Sequence, residues 1–267
     1  MPLFVSILFT FLTTGLVWAG LKSLNHNRIS FLAATLLLTN SFFQQIGVSQ
    51  YCDIVTGYYT LASLFCLTAF LNGRGHCYVI WAALQAGLLA FTKPEGAVAA
   101  FIISIIGLAA VIRQNRLLPI EKKIKFRWLT LALGLTFWPV ILFNILYSPG
   151  NQTFINGFFS DTAPVTWHRI KMTLAFFLVE LKSVKWNGIL LLLTAGVFLG
   201  GRNPWRKNLV VFPIFFAGYL GIIFVYYLMN TYFEIGWWLG VSLNRILFAV
   251  LPCVVFWVFY SIEEDSA

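Results

Sequence analysis

Charge is what this sequence has least of. Only 10% of its 267 residues are Asp, Glu, Lys or Arg, against about 25% in an ordinary soluble domain, and 60% are apolar. A water-soluble globular protein is excluded. Disorder is excluded as well, because 27 Phe, 10 Trp and 10 Tyr carry far more burial than an unfolded chain does. The four Cys form no C-x-x-C pair, so neither a disulfide framework nor a zinc site is indicated. His168 follows Asp161 by seven residues, which is not a helical ligand spacing, and it reads as a loop histidine; His26 and His76 flank turns and read as solvated. There is no Walker loop, dinucleotide fingerprint or Ser-His-Asp arrangement. No cofactor is implied, and a divalent metal is left open. Met1 is followed by no basic n-region, so an ordinary signal peptide is not expected. With no internal repeat, low-complexity tract or soluble linker, residues 1–267 read as one membrane domain.

What the sequence does have is long apolar runs. A hydrocarbon core of about 30 Å needs about 20 helical residues. Nine stretches qualify or nearly qualify: Leu3 to Gly20, Ile29 to Gly47, Ile54 to Leu71, Cys77 to Thr92, Gly96 to Ile112, Trp128 to Tyr147, Gly188 to Gly201, Leu209 to Met229 and Ile246 to Tyr260. They lack the every-second-residue alternation of barrel strands. Ile170 to Val184 mixes Leu174, Phe176, Phe177 and Leu178 with Lys171, Glu180 and Lys182, and predicts a helix lying in the interface. The expected fold class is all-α: a polytopic membrane helix bundle of about nine transmembrane helices plus one interfacial helix.

The net charge of +9 would suggest nucleic acid in a soluble protein, but in a membrane protein it signals positive-inside topology. Assigned loop by loop, 12 of the 18 cations fall on one side, from Lys22 and Arg28 through Arg74, the segment Arg113 to Arg127, and Arg202 to Lys207. That side is read as cytoplasmic. The amino terminus is then outside and the carboxyl terminus inside. The segment Arg113 to Arg127 has the composition to bind RNA or anionic lipid, yet retention at the inner leaflet is the favoured reading, so no nucleic-acid partner is expected.

No ionisable residue occupies the middle of an assigned span, which argues against an ion-coupled carrier. Asn40, Gln44, Gln45, Gln85 and Asn144 read as hydrogen-bonding groups between helices. The external ends differ. Asp53 begins the third span, Lys93, Glu95 and Gly96 link the fourth to the fifth, and Arg245 starts the last, after Trp237-Trp238-Leu239. Asp53, Lys93 and Glu95, at successive hairpin ends, are expected to be near neighbours, with Arg245 on the same face; acids and cations at this depth suit an anionic headgroup and an acid/base step. Each also has a plain structural alternative: Asp53 as a helix N-cap, Lys93 and Arg245 as cations snorkelling to headgroups.

The run Gln50-Tyr51-Cys52-Asp53-Ile54, a span, a short basic turn, a second span and then Thr92-Lys93-Pro94-Glu95-Gly96 resembles the middle of a GT-C-type membrane glycosyltransferase. Members related to protein mannosyltransferases and lipid A aminoarabinose transferases show a Tyr-x-Asp opening and a Thr-Lys-x-x-Gly closure around such a hairpin. Ser242-Leu243-Asn244-Arg245 followed by Pro252 is similar to the Ser-x-x-Arg and Pro of the final span in bacterial members. The likeness runs from about residue 29 to residue 260. It implies transfer of a sugar from a polyprenyl-phosphate donor to an acceptor, left open, at the external face of a bacterial inner membrane. Asp53 and Glu95 would be the catalytic carboxylates, with Asp53 orienting acceptor or donor groups or holding Lys93, and Tyr51, Lys93 and Arg245 the substrate and phosphate contacts. The principal acid of that family lies in a large external loop after the first span. Leu21 to Asn27, the corresponding loop here, is short and has no acid, so the chain resembles the middle and later part of such an enzyme, without the amino-terminal catalytic portion. Two other classes stay open: a carrier or flippase for a lipid or small molecule, and a non-catalytic membrane subunit.

Overall fold

Apolar runs without strand-like alternation form helices, and ten are defined among the described residues of the computed structural model. It describes residues 3–24, 27–49, 51–117, 165–183, 185, 209–230 and 233–262, with short pieces between 133 and 146. In chain order the helices are α1 (Leu3–Ser23), α2 (Asn27–Thr39), α3 (Ser41–Val48), α4 (Asp53–Leu71), α5 (Cys77–Ala90), α6 (Pro94–Leu117), α7 (Trp167–Leu181), α8 (Val211–Met229), α9 (Ile235–Phe248) and α10 (Leu251–Ser261). Large apolar side chains such as Phe4, Phe11, Phe31, Trp81 and Phe101 point outward, which suits lipid and not water. This is an integral membrane protein.

The expected count of about nine spans is not met among the described residues. Four helices, α1, α4, α6 and α8, are long and apolar enough to cross a bilayer; counting the bent pairs α2 with α3 and α9 with α10 as one span each gives six. The predicted fourth span is only the 14 residues of α5, about 21 Å at 1.5 Å per residue. The expected Gly188 to Gly201 span lies outside the described residues and Trp128 to Tyr147 mostly so, as do Asn144 and Asp161. The segment expected to lie in the interface does form a helix, α7, capped by Thr166, whose hydroxyl accepts the Arg169 N–H at 3.2 Å.

Two predicted spans are broken, each at a residue with a reason to break it. The second bends by 63° at Asn40. Asn40 leaves the helical conformation, accepts the Phe43 N–H at 2.8 Å as the N-cap of α3, and donates to the Lys185 carbonyl at 2.9 Å. The last predicted span does not begin after Arg245. Arg245 lies in the final turn of α9, and α9 and α10 meet at 41°. Pro252, in the first turn of α10, has no N–H to continue the ladder.

Helix α4 is the hub. It packs against α1, α3, α5, α6, α8, α9 and α10. Its buried hydroxyls are satisfied within the helix: Thr56, Thr60, Ser63 and Thr68 each donate to the carbonyl four residues back. At the break between α9 and α10, Gly57 lets α4 come close; a Cβ there would lie 2.7 Å from the Ala249 carbonyl oxygen. Asp53 is one turn before Gly57, and Arg245 one turn before Ala249. The close approach at one rung therefore brings those two side chains together at the next. Gly57→Ala is expected to lower the stability of the detergent-purified protein by about 1–3 kcal/mol in thermal or chemical unfolding. Gly15→Ala, where a Cβ meets open space, should cost nothing.

Candidate functional site

The turn from α5 to α6 presents Lys93. Helix α5 ends with the Phe91 and Thr92 amides bonded three residues back to Leu88 and Leu89. Pro94 then opens α6, where its missing N–H costs nothing, and the Lys93 carbonyl accepts the first helical bond, from Ala97, at 3.1 Å. Gly96 permits this reversal, because a Cβ there would lie 2.5 Å from the Leu89 carbonyl oxygen and 2.4 Å from the Thr92 hydroxyl. Thr92 meets Thr56 of α4 at 3.1 Å, tying the turn to the helix that carries Asp53.

Asp53 is 1% exposed, and both of its oxygens are engaged. Oδ1 accepts from Lys93 Nζ and Oδ2 from Arg245 Nε at 2.9 Å. The guanidinium of Arg245 also lies over the Tyr51 ring, 3.6 Å from its centroid. Four of the five residues singled out in the sequence thus form one cluster. Asp53 is not a helix N-cap: Cys52 holds that position, and the carboxylate goes to the cations. Lys93 and Arg245 do not merely extend toward a surface. One carboxylate against two cations leaves the cluster with one net positive charge.

Glu95 is half-buried in the first turn of α6, where a negative charge favours the helix dipole. Among the described residues it makes no ion pair. It is in electrostatic range of Tyr219, Tyr226 and Tyr227 on α8. Tyr219 is fully buried, is stacked on Phe215 at 5.5 Å, and is also in range of Asp53.

Several contributors were not visible in the sequence. The Tyr227 hydroxyl meets that of Ser242 at 2.6 Å. Arg169 of α7 donates through Nε and Nη2 to the Tyr227 carbonyl, at 3.2 and 3.0 Å, and through Nη2 to the Asn230 carbonyl, closing the end of α8. Burial lowers the Arg169 guanidinium and the Glu234 carboxylate opposes that shift; the group stays charged. Glu234 caps α9 by accepting from Gly236 N–H at 2.9 Å and from Trp237 N–H at 2.6 Å. Adjacent Tyr226-Tyr227 near the end of a span reads as an interfacial belt. No spacing links Tyr227 to Ser242 in advance.

Chemically, the cluster offers cationic donors to an anion. Arg245 commits Nε to Asp53, and its two Nη groups have no partner among the described residues. Each oxygen of Asp53 holds one cation, so the carboxylate fixes Lys93 and Arg245 relative to each other. Among the described residues no group of three or more His, Cys, Asp and Glu is placed to hold a metal. No family model, curated protein or solved structure matches this chain.

Asp53→Asn leaves two cations facing each other and is expected to cost about 3 kcal/mol of stability, less to the extent that solvent screens Arg245, with Lys93→Met in the same chain recovering part of the loss. A melting series of the three proteins checks this. The Glu234 carboxyl is lowered by the Trp237 and Gly236 N–H groups. Its folded value lies below the unfolded one, so the cap contributes above the ordinary glutamate range and is lost as pH falls through the lowered value. Glu234→Gln should therefore speed amide exchange at Gly236 and Trp237 at neutral pH, and the wild type should match it only in acid.

Proposed function

We propose that the chain is a membrane glycosyltransferase of GT-C type, or part of one, transferring a sugar from a polyprenyl-phosphate-linked donor to an acceptor at the outer face of a bacterial inner membrane. The observation that carries this reading is the buried Asp53 carboxylate holding Lys93 and Arg245 together. In the reaction, an acceptor oxygen attacks the anomeric carbon, the bond from that carbon to the phosphate oxygen breaks, and the polyprenyl phosphate leaves with the electron pair. Lys93 Nζ and the Nη groups of Arg245 stabilise the charge that develops on the phosphate. Tyr51 flanks the guanidinium. The proton of the acceptor goes to a carboxylate, and Glu95, which makes no ion pair among the described residues, suits that role better than Asp53. Asp53 is the positioning residue that holds the two cations at one spacing. A membrane-embedded site suits an amphiphilic donor that diffuses in the bilayer plane.

Purified protein in nanodiscs is expected to bind undecaprenyl phosphate and not undecaprenol. Lys93→Ala and Arg245→Ala should each weaken binding about tenfold or more. Glu95→Gln should bind like the wild type and lose transfer of radiolabelled sugar from membrane-extracted polyprenyl-phosphate donors. Equal binding of alcohol and phosphate, or wild-type affinity in both cation variants, refutes the reading. Phosphate binding with lipid translocation and no sugar transfer would replace it with the carrier.

A further inference from the structure

We infer that Tyr227 and Ser242 are positioning residues for Arg245, and that α7 reaches the site through them; the consequence for ligand binding rests on Arg245 being a phosphate contact, as proposed above. Ser242 lies three residues before Arg245, so the two project from one face of α9. Ser242 donates to the Trp238 carbonyl at 2.8 Å, which spends its proton. The phenol of Tyr227 is therefore the donor in the 2.6 Å bond between the two hydroxyls.

Tyr227 is fully buried and is held at both ends. Its carbonyl accepts from Arg169 of α7, its hydroxyl donates to Ser242 of α9, and its ring lies edge-on to Trp238 at 5.1 Å. Packing alone would be served by phenylalanine. A hydroxyl at this depth is tolerated because it has a partner, and that partner is one turn from the guanidinium. Helix α9 is held at two places on either side of Arg245: the break at Ala249, against Gly57, and the Tyr227 bond at Ser242. Between them the long side chain of Arg245 keeps Nε on Asp53 and its plane over Tyr51. Without the second fastening, α9 can turn about the break and carry the guanidinium off both contacts. Because Arg169 fixes the backbone of Tyr227, the seating of α7 is transmitted to Arg245 by direct bonds.

Phenylglyoxal labelling of arginines in the full chain in nanodiscs, read by peptide mass spectrometry, tests this without any ligand. Tyr227→Phe and Ser242→Ala should each label Arg245 roughly fivefold faster than wild type, the loss of about one hydrogen bond. The double variant should be no faster than either single one, Ser242→Thr should restore slow labelling, and Arg113 and Arg116 should keep their wild-type rates. An unchanged Arg245 rate in both single variants overturns the inference, and so does equal acceleration at all three arginines. In a second arm, Tyr227→Phe should weaken undecaprenyl phosphate binding about fivefold in the wild-type background and not at all in Arg245→Ala. A residual effect in Arg245→Ala counts against positioning. Absence of binding by the wild type refutes the proposed function, and labelling then decides the positioning role alone.

Discussion

A carboxylate with almost no exposure to solvent, in a protein whose own solvent is largely hydrocarbon, has to be paired, and the rest of this architecture follows from how Asp53 is paired. A single cation would neutralise it. Two cations, arriving from the start of α6 and the end of α9, make it a joint between three helices. Such a joint costs desolvation that a well-packed apolar contact would not. Its compensation is specificity of arrangement: α4, α6 and α9 meet in one register because that register gives the buried carboxylate its partners.

The backbone prepares the joint before the charges meet. Each partner sits where a helix starts or breaks, because side chains at such places are held by turns and caps as well as by a continuous ladder. Pro94 and Gly96 turn the chain so that Lys93 faces α4, and Pro252 with Gly57 brings the α9–α10 break against the same helix. Broken spans are tolerated in a bilayer only where the freed backbone groups find partners inside the protein. Asn40 supplies them at one break by capping α3 and reaching Lys185, and bonds from Cys253 and Val254 back to Val250 supply them at the other. Polar groups and helix breaks therefore collect in the same places.

How much of this could be read in advance depends on the range of the interaction. The apolar runs of α1, α4, α6 and α8 are local properties, and hydropathy finds them. Asp53 and Lys93 are neighbours because two short turns fold three consecutive helices back on themselves, so counting spans was enough to expect it. The breaks were not expected, although Asn40 and Pro252 are residues that break helices, because a window averaged over about 20 residues merges two short helices into one long run. That Asp53 holds Lys93 was one of the alternatives the sequence offered; its bond to Arg245 was out of reach. A carboxylate at a helix start is a cap, a base or an ion-pair partner according to what stands opposite it, and Arg245 is 192 residues away in the chain. The Tyr227 to Ser242 bond, between hydroxyls on neighbouring helices, leaves no periodic trace at all.

The division of labour between the two carboxylates follows from their neighbours. Asp53 accepts from a cation at each oxygen, which makes it the group that holds Lys93 and Arg245 in place. Glu95 stands in the first turn of α6, in electrostatic range of Tyr226 and Tyr227, and makes no ion pair among the described residues. On the proposed reading the reaction expels a phosphate, which needs positive charge that stays in place and a base that stays available, two demands that conflict if one acid serves both. Keeping the acids on different helices and pairing only one removes the conflict. Arg245 is fastened through Nε, and on the proposed reading its two Nη groups, which have no partner among the described residues, are what meets the phosphate.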